Sequence, residues 1–228
     1  MIRRILLGGL VGGIAGGLVV AVIQALTTTP MILYAETFEN DQAGSAGSVI
    51  LAAAHSAAAE GVSGAFDLDR FLMTALATLG IATGYAWIAM GALHAAGGEI
   101  TARRIVPWAV AGFFVTGLAP AFGLAPELPG VAYVDVAARQ IWWLGTAVAT
   151  AGGLVAFAFG RKPLWVIVGI VLIAAPHVIG APAPVELFSQ TPAEIAAHFA
   201  SASLGIQALV WVVPAAIAGY TVSRMGPG

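Results

Sequence analysis

Long apolar stretches alternate with short polar connections along the whole chain, and six of the stretches have about the length of a membrane-spanning helix. A helix needs about 20 apolar residues to cross the hydrocarbon core of a bilayer. The alternating pattern of barrel strands is absent, so a helical bundle is the predicted spanning structure. We therefore predict an all-α integral membrane protein of about six transmembrane helices in a single domain, residues 1–228. The predicted spans cover residues 5–28, 71–93, 105–124, 139–160, 164–180 and 201–222.

The composition agrees with a protein embedded in lipid. Of the 228 residues, 60% are hydrophobic and only 9% are charged, whereas about a quarter of the residues of a soluble domain are charged. Such a chain has too few charges to coat a globule in water. It also has no cysteine, which excludes disulfides and thiolate metal ligands.

The charged residues divide by sign between the two sets of connections. Basic residues near span ends gather on the cytoplasmic side of membrane proteins, so we expect both termini in the cytoplasm. Only Arg70 and Arg139 fall on the opposite side, which carries every acidic residue except Glu99. The outer loop 36–70 lies there too, and we predict a short amphipathic surface helix over its residues 48–61. The basic residues expected inside are Arg3, Arg4, Arg103, Arg104, Arg161, Lys162 and Arg224.

Glycines recur at every fourth position of the first span and form two neighbouring columns on the helix. Residues four apart share one face of a helix, and a face without side chains lets another helix approach closely. We predict that both columns are helix-packing surfaces. The columns are Gly8, Gly12 and Gly16, and beside them Gly9, Gly13 and Gly17.

Two segments of the second half resemble each other. Residues 119–130, "APAFGLAPELPG", and 175–186, "APHVIGAPAPVE", share both Ala-Pro positions, and each has a glycine between them. Each is followed by a helix start with an acid and a base four residues apart, Asp135 to Arg139 and Glu194 to His198. We predict that spans 3–4 and 5–6 are related hairpins in a parallel repeat, the alternative being chance similarity. Thr191 is the predicted N-cap of the last helix.

The absence of several sequence motifs narrows the classes of function that this chain could have. The chain lacks GxxxxGK[ST], HExxH and GxSxG, and no predicted span carries an acidic or basic residue between its ends. ATP hydrolysis, proton pumping through buried charges and enzymatic catalysis are therefore not expected. We expect no permanently bound cofactor and no nucleic-acid partner. Gln24 and Gln207 are polar groups inside spans, interpreted as interhelical hydrogen-bonding residues.

Three histidines, His55, His177 and His198, lie on the acidic side. Imidazole and carboxylate together suit borderline divalent ions such as cobalt, nickel or zinc. The alternative for His177 is structural, with its ring donating a hydrogen bond to a carbonyl freed at the helix end by the nearby prolines. Trp142 and Trp143 stand near a span start, as in the aromatic belt of membrane proteins.

Three motifs, "LAPELPG" at 124–130, "ARQIWWLGT" at 138–146 and "PHVIGAP" at 176–182, resemble the CbtA family, the proposed cobalt transporter subunit. The first span, with "RRILLGGLVGGIAGG" leading to "TTTPMILYAETFE", resembles the start of that family. The resemblance therefore covers nearly the whole chain. The matching positions are Glu127, Pro129, Gly130, Arg139, Gln140, Trp142, Trp143, Pro176, His177, Gly180 and Pro182.

The resemblance implies a multi-pass protein of the bacterial inner membrane that imports cobalt for cobalamin synthesis. It also implies a small one-span partner, CbtB, with a histidine-rich terminus. Many relatives carry a histidine-rich tract in the first outer loop, whereas this chain has only His55 there.

Our hypothesis is an outward-facing divalent-metal site of His177, Glu127 and His198, with His55 and Glu36 as additional ligands from the outer loop. A divalent metal such as cobalt would be cargo. The alternative is a non-transporting accessory or structural subunit of a larger membrane assembly. In that case the glycine face and the outer tryptophans are docking surfaces.

Overall fold

In a computed structural model, the regular structure of the described residues is entirely helical. The structure describes residues 1–46, 67–132, 134–184 and 188–225. The elements are α1 (Ile2–Leu26), α2 (Thr28–Ala46), α3 (Leu68–Ala95), α4 (Ala102–Phe113), a π-helical segment (Phe114–Leu118), α5 (Ala119–Ala121), α6 (Val136–Phe159), α7 (Pro163–Ile179) and α8 (Ala193–Arg224). The predicted all-α membrane fold is confirmed.

Five of the predicted spans form helices long and apolar enough to cross a membrane, with α4, the π segment and α5 counting as one. The fifth predicted span, α7, is an apolar helix of only 17 residues. It starts at Pro163 and ends before Gly180, whose φ of +91° suits glycine. Helix α2 was not predicted and covers the beginning of the expected outer loop. The predicted surface helix at 48–61 lies outside the described residues.

The N-terminus of α1 and the C-terminus of α8 meet at one end of the bundle. Arg4 Nη2 donates hydrogen bonds to Val222 O at 2.8 Å and Met225 O at 2.6 Å, and so satisfies carbonyls at the C-terminus of α8. We call this the basic end. At the opposite, acidic end the backbone N–H of Gln190 donates to Gly130 O at 2.8 Å. The chain therefore crosses between the ends an even number of times, and α7 is one of the crossings.

Helix α1 packs between α3 and α8 through its two glycine columns, while its other side is exposed. One glycine column faces α8, where a Cβ at Gly12 would lie 2.7 Å from Ala218 Cβ. The other column faces α3, where a Cβ at Gly13 would lie 2.6 Å from Thr83 Cβ. All six glycines are buried. Packing this close to backbone is open only to residues without a side chain.

The packing of the second half departs from the predicted hairpin pairs. Helix α7 packs mainly on α6, its predecessor, and makes few contacts with α8. Gly153 and Gly169 allow this approach, because a Cβ at Gly153 would lie 2.8 Å from Gly169 O. The connection between α7 and α8 contacts the 129–130 turn instead of folding α8 back onto α7. The packing therefore gives no support to the predicted repeat.

Two local predictions at the acidic end were wrong. Asp135 is the N-cap of α6 and accepts a hydrogen bond from Ala138 N–H at 2.8 Å, while Arg139 forms an ion pair with Glu127. Thr191 does not cap α8; its hydroxyl donates to Pro129 O at 2.7 Å. The Asp135 carboxylate caps its own helix, so Arg139 pairs with a residue of the preceding connection instead. The Thr191 hydroxyl bonds a carbonyl of another segment and therefore does not cap α8.

Candidate functional site

A partly open cavity of about 310 Å³ lies between α1, α2, α3 and α8 toward the acidic end. Pro126, in the connection after α5, also lines it. We call it the polar cavity, because half of its lining residues carry oxygen or nitrogen in their side chains. These residues are Gln24, Thr28, Thr78, Tyr85, Ser203 and Gln207. A cluster of neutral polar groups is unusual in a helical bundle of this apolar composition.

Helical spacing brings these groups together. Gln24 and Thr28 are four residues apart across the junction of α1 and α2, and Ser203 and Gln207 are four apart on α8. The Thr78 hydroxyl lies 2.8 Å from both Gln24 Oε1 and Thr74 O, so its single proton is shared between two acceptors. The Gln24–Thr78 hydrogen bond joins α1 to α3 at the cavity wall.

The π segment forms the wall behind Gln207. Thr116 Oγ1 accepts a hydrogen bond from Trp211 Nε1 at 2.9 Å and lies 2.9 Å from Gly112 O. Trp143 Nε1 donates to Thr116 O at 3.1 Å. Pro120, four residues further on, has no N–H to offer that carbonyl. Single π turns inside α-helices are frequent at functional sites.

Tyr85 and Gln207 connect this wall to the cavity. The ring of Tyr85 stacks on Trp211 with centroids 3.9 Å apart, and Trp211 in turn donates a hydrogen bond to Thr116 of the π segment. The amide oxygen of Gln207 occupies the space that a side chain at Gly117 would take. The π segment therefore holds both polar groups at fixed positions in the wall.

Replacing Thr116 by valine should destabilise the protein by about 1–3 kcal/mol, because the buried N–H of Trp211 then loses its acceptor. The midpoint of thermal unfolding in detergent measures this loss. Thr221→Val is the matched control, since the Thr221 hydroxyl donates only to Ile217 O of its own helix. Equal shifts for both variants would show that Thr116 contributes no more than an ordinary helical threonine.

Two of the predicted metal ligands are engaged with arginines. The Arg70 guanidinium bonds both oxygens of Glu36, at 3.0 and 3.2 Å. Glu127 pairs with Arg139 at the start of α6. Both carboxylates are about one-third exposed, so the pairs are partly shielded from water.

His177 lies in the last turn of α7, half-buried among aromatic rings. Its ring meets Trp142 edge-on at 5.9 Å and Phe122 at 6.2 Å between centroids. The indole nitrogen of Trp142 is buried without a hydrogen-bond partner. The helix end itself is closed by the N–H of Gly180, which donates to Pro176 O at 3.0 Å.

The structure does not gather the predicted ligands into one cluster. His198 is exposed on α8 and lines a different cavity from that of Gln207. Within the part of the chain that the structure describes, no group of three or more histidine and carboxylate side chains could hold a metal ion. His55 lies outside the described residues. Metal binding by these residues stays a prediction.

Several residues of the quoted motifs contact one another at the acidic end. The carbonyls of Pro129 and Gly130 accept hydrogen bonds from Thr191 and Gln190, and Gly130 has a φ of +76°. Gly123, just before the first motif, packs against Trp142. Pro176 is buried, whereas Gln140 is exposed. The motifs thus join the ends of α5, α6 and α7 to the start of α8.

The sequence alone does not predict the polar cavity, although its residues carry a signal. The sequence predicts Gln24 and Gln207 as interhelical hydrogen-bonding groups, and Gln24 does bond to Thr78. The polar residues follow helical spacing on three segments far apart in sequence. Only the fold brings the three polar faces to one cavity.

A bundle of helices long and apolar enough to cross a bilayer defines a multi-pass integral membrane protein. The sequence profile of the CbtA family, described as a probable cobalt transporter subunit, matches residues 2–223. The chain belongs to the CbtA family. Comparison with curated proteins and with solved structures gives no match.

Proposed function

We propose that this chain is the membrane subunit of a cobalt importer in the bacterial cytoplasmic membrane, with its acidic end facing outward. The polar cavity would be the outward-facing vestibule for the ion, which serves cobalamin synthesis. The observation that carries this proposal is a cavity lined by six polar side chains in a bundle whose family is a probable cobalt transporter subunit.

The chemistry of the polar cavity suits the passage of a cation better than its tight binding. Amide and hydroxyl oxygens can replace part of the hydration shell of a cation, and conduction requires binding weak enough for release. No carboxylate lines the cavity among the described residues. Acidic residues nearer the surface would raise the local concentration of cations by electrostatic attraction.

Within this proposal the predicted metal ligands take different roles. We assign Glu36 and Glu127 to structural ion pairs that hold α2 to α3 and the 122–135 connection to α6, because each has an arginine partner. His198 is exposed and keeps a role in binding the ion. The partner would be a small one-span subunit of the CbtB type, since a subunit by description works with other chains.

The function is tested by cobalt accumulation in a bacterial host that lacks its own cobalt uptake. Expression of the chain with its small partner should raise the cobalt content of the cells severalfold over the empty vector, as measured by mass spectrometry. Magnesium content serves as the internal control and should not change. No rise in cobalt, with the chain present in the membrane fraction, would contradict the proposal. Co-purification with a large assembly in that case would favour the accessory-subunit alternative.

A further inference from the structure

A second cavity, of about 430 Å³, lies between α2 and the first two turns of α8 at the acidic end. Met31 and Tyr34 line it from α2, and Glu194 and His198 line it from α8. We call it the rim cavity. It brings an imidazole, a carboxylate, a thioether and a phenol to one concave surface.

We propose that Glu194 and His198, with Met31 opposite, form a capture site for a divalent transition-metal ion such as Co²⁺. The identity of the ion as cobalt rests on the proposed function. Residues four apart on a helix lie on one face with their Cβ atoms about 5–6 Å apart, so both side chains can reach one ion. Imidazole nitrogen and carboxylate oxygen together suit the borderline divalent metals.

Among the described carboxylates of the acidic end, Glu194 lines the rim cavity and has no ion-pair or side-chain hydrogen-bond partner, whereas Asp69, which also lacks one, lies outside that cavity. Glu36 and Glu127 are paired with arginines, while Asp67 and Asp135 accept hydrogen bonds as helix N-caps. In the described part of the chain, neither Glu194 nor His198 has an ion-pair or side-chain hydrogen-bond partner. Both are exposed, so an ion reaches them from water without any rearrangement.

A competing role for Glu194 follows from its position in the first turn of α8, where a negative charge stabilises a helix. That role needs no histidine one turn further on and no cavity. Metal binding requires both side chains, so the effect of His198 on binding separates the two roles.

The rim cavity is next to the polar cavity. His198 lines the rim cavity and Phe199 lines the polar cavity, and on α2 the same holds for Met31 and Ile32. Phe199 and Ala35 belong to one buried apolar cluster, against which Met31 and Ile32 pack. The nitrogen and sulfur atoms of the rim cavity favour a transition metal over Mg²⁺ or Ca²⁺, which prefer oxygen ligands. Selection of the ion would therefore precede its passage into the neutral polar cavity.

Cobalt binding to the purified full chain in detergent, measured by calorimetry with CoCl₂ alone, tests the site. We expect the dissociation constant to rise at least tenfold in His198→Ala and in Glu194→Gln. The matched control is Asp69→Asn, which removes an exposed carboxylate at the start of α3 outside the rim cavity and should leave binding unchanged. Unchanged binding in His198→Ala, or equal competition by Mg²⁺, would overturn the proposal.

A variant that should bind Co²⁺ more tightly gives a result that misfolding cannot produce. Glu194→His places two imidazoles one turn apart and should tighten Co²⁺ binding at least tenfold. No tightening would mean that the two positions cannot share one ion, and the site would be wrong. The binding and uptake experiments can also give different results, which distinguish the capture site from the proposed function. A wild type that binds Co²⁺ through these residues but does not accumulate cobalt contradicts the proposed function, whereas normal uptake with unaltered binding in both variants contradicts the capture site.

Discussion

Replacing Gly12 by valine should unfold or severely destabilise the protein, with a loss of at least about 3 kcal/mol, at the upper end of the range for overpacking. A Cβ at Gly12 would lie 2.7 Å from Ala218 Cβ and 2.8 Å from Ala218 N. Because the second atom is backbone, relief requires α1 and α8 to move apart. That movement would also disturb the contacts of Gly8 and Gly16 with α8.

The measurement is the midpoint of thermal unfolding in detergent, together with the yield of monodisperse protein. Gly84→Val on α3 is the matched control, since a Cβ there meets nothing within 4 Å. Both changes place the same β-branched residue in a helix, so their intrinsic helix costs are equal. A similar loss of stability in the two variants would contradict the packing role of Gly12.

Replacing Gln207 by leucine should reduce the initial rate of cobalt uptake about tenfold or more, with little change in stability. The substitution removes the polar end of a side chain in the wall of the polar cavity and keeps a similar volume. A cation would then lose one oxygen contact during passage. A tenfold change in rate corresponds to about 1.4 kcal/mol in the barrier.

Uptake in cells with equal amounts of folded protein in the membrane checks this result. Gly205→Leu adds the same side chain two residues away on an exposed face of α8, where a Cβ meets nothing within 4 Å. It should leave uptake near the wild-type rate. Normal uptake in Gln207→Leu would remove the polar cavity from the transport path.

The helices could be predicted because their signal is local. Runs of apolar residues and the spacing of Gly8, Gly12 and Gly16 depend only on positions within one span. The partner of Arg139 could not be predicted in the same way. The i, i+4 rule pointed to Asp135, but that carboxylate caps its own helix, and Glu127 from the preceding connection takes the arginine. A rule for isolated helices is easily overruled by a nearby loop.

The candidate site was harder to predict because its residues come from different parts of the chain. Gln24, Thr78 and Gln207 belong to three different spans, and no spacing in the sequence relates them to one another. The π segment, which positions Gln207, also has no simple sequence signature apart from Pro120. The charge pattern predicted that carboxylates gather at one end, but not which of them have arginine partners.

The unequal lengths of α7 and α8 have a consequence for the surrounding lipid. At 1.5 Å per residue the 17 residues of α7 reach about 26 Å, and the 32 residues of α8 reach about 48 Å. Lipid tails around the shorter helix have to compress, because the hydrocarbon core is about 30 Å thick. The longer helix must tilt or extend beyond the headgroups. The match between the protein and its membrane therefore depends on the thickness of the bilayer. Lipids with shorter acyl chains should match α7 better than lipids with long ones.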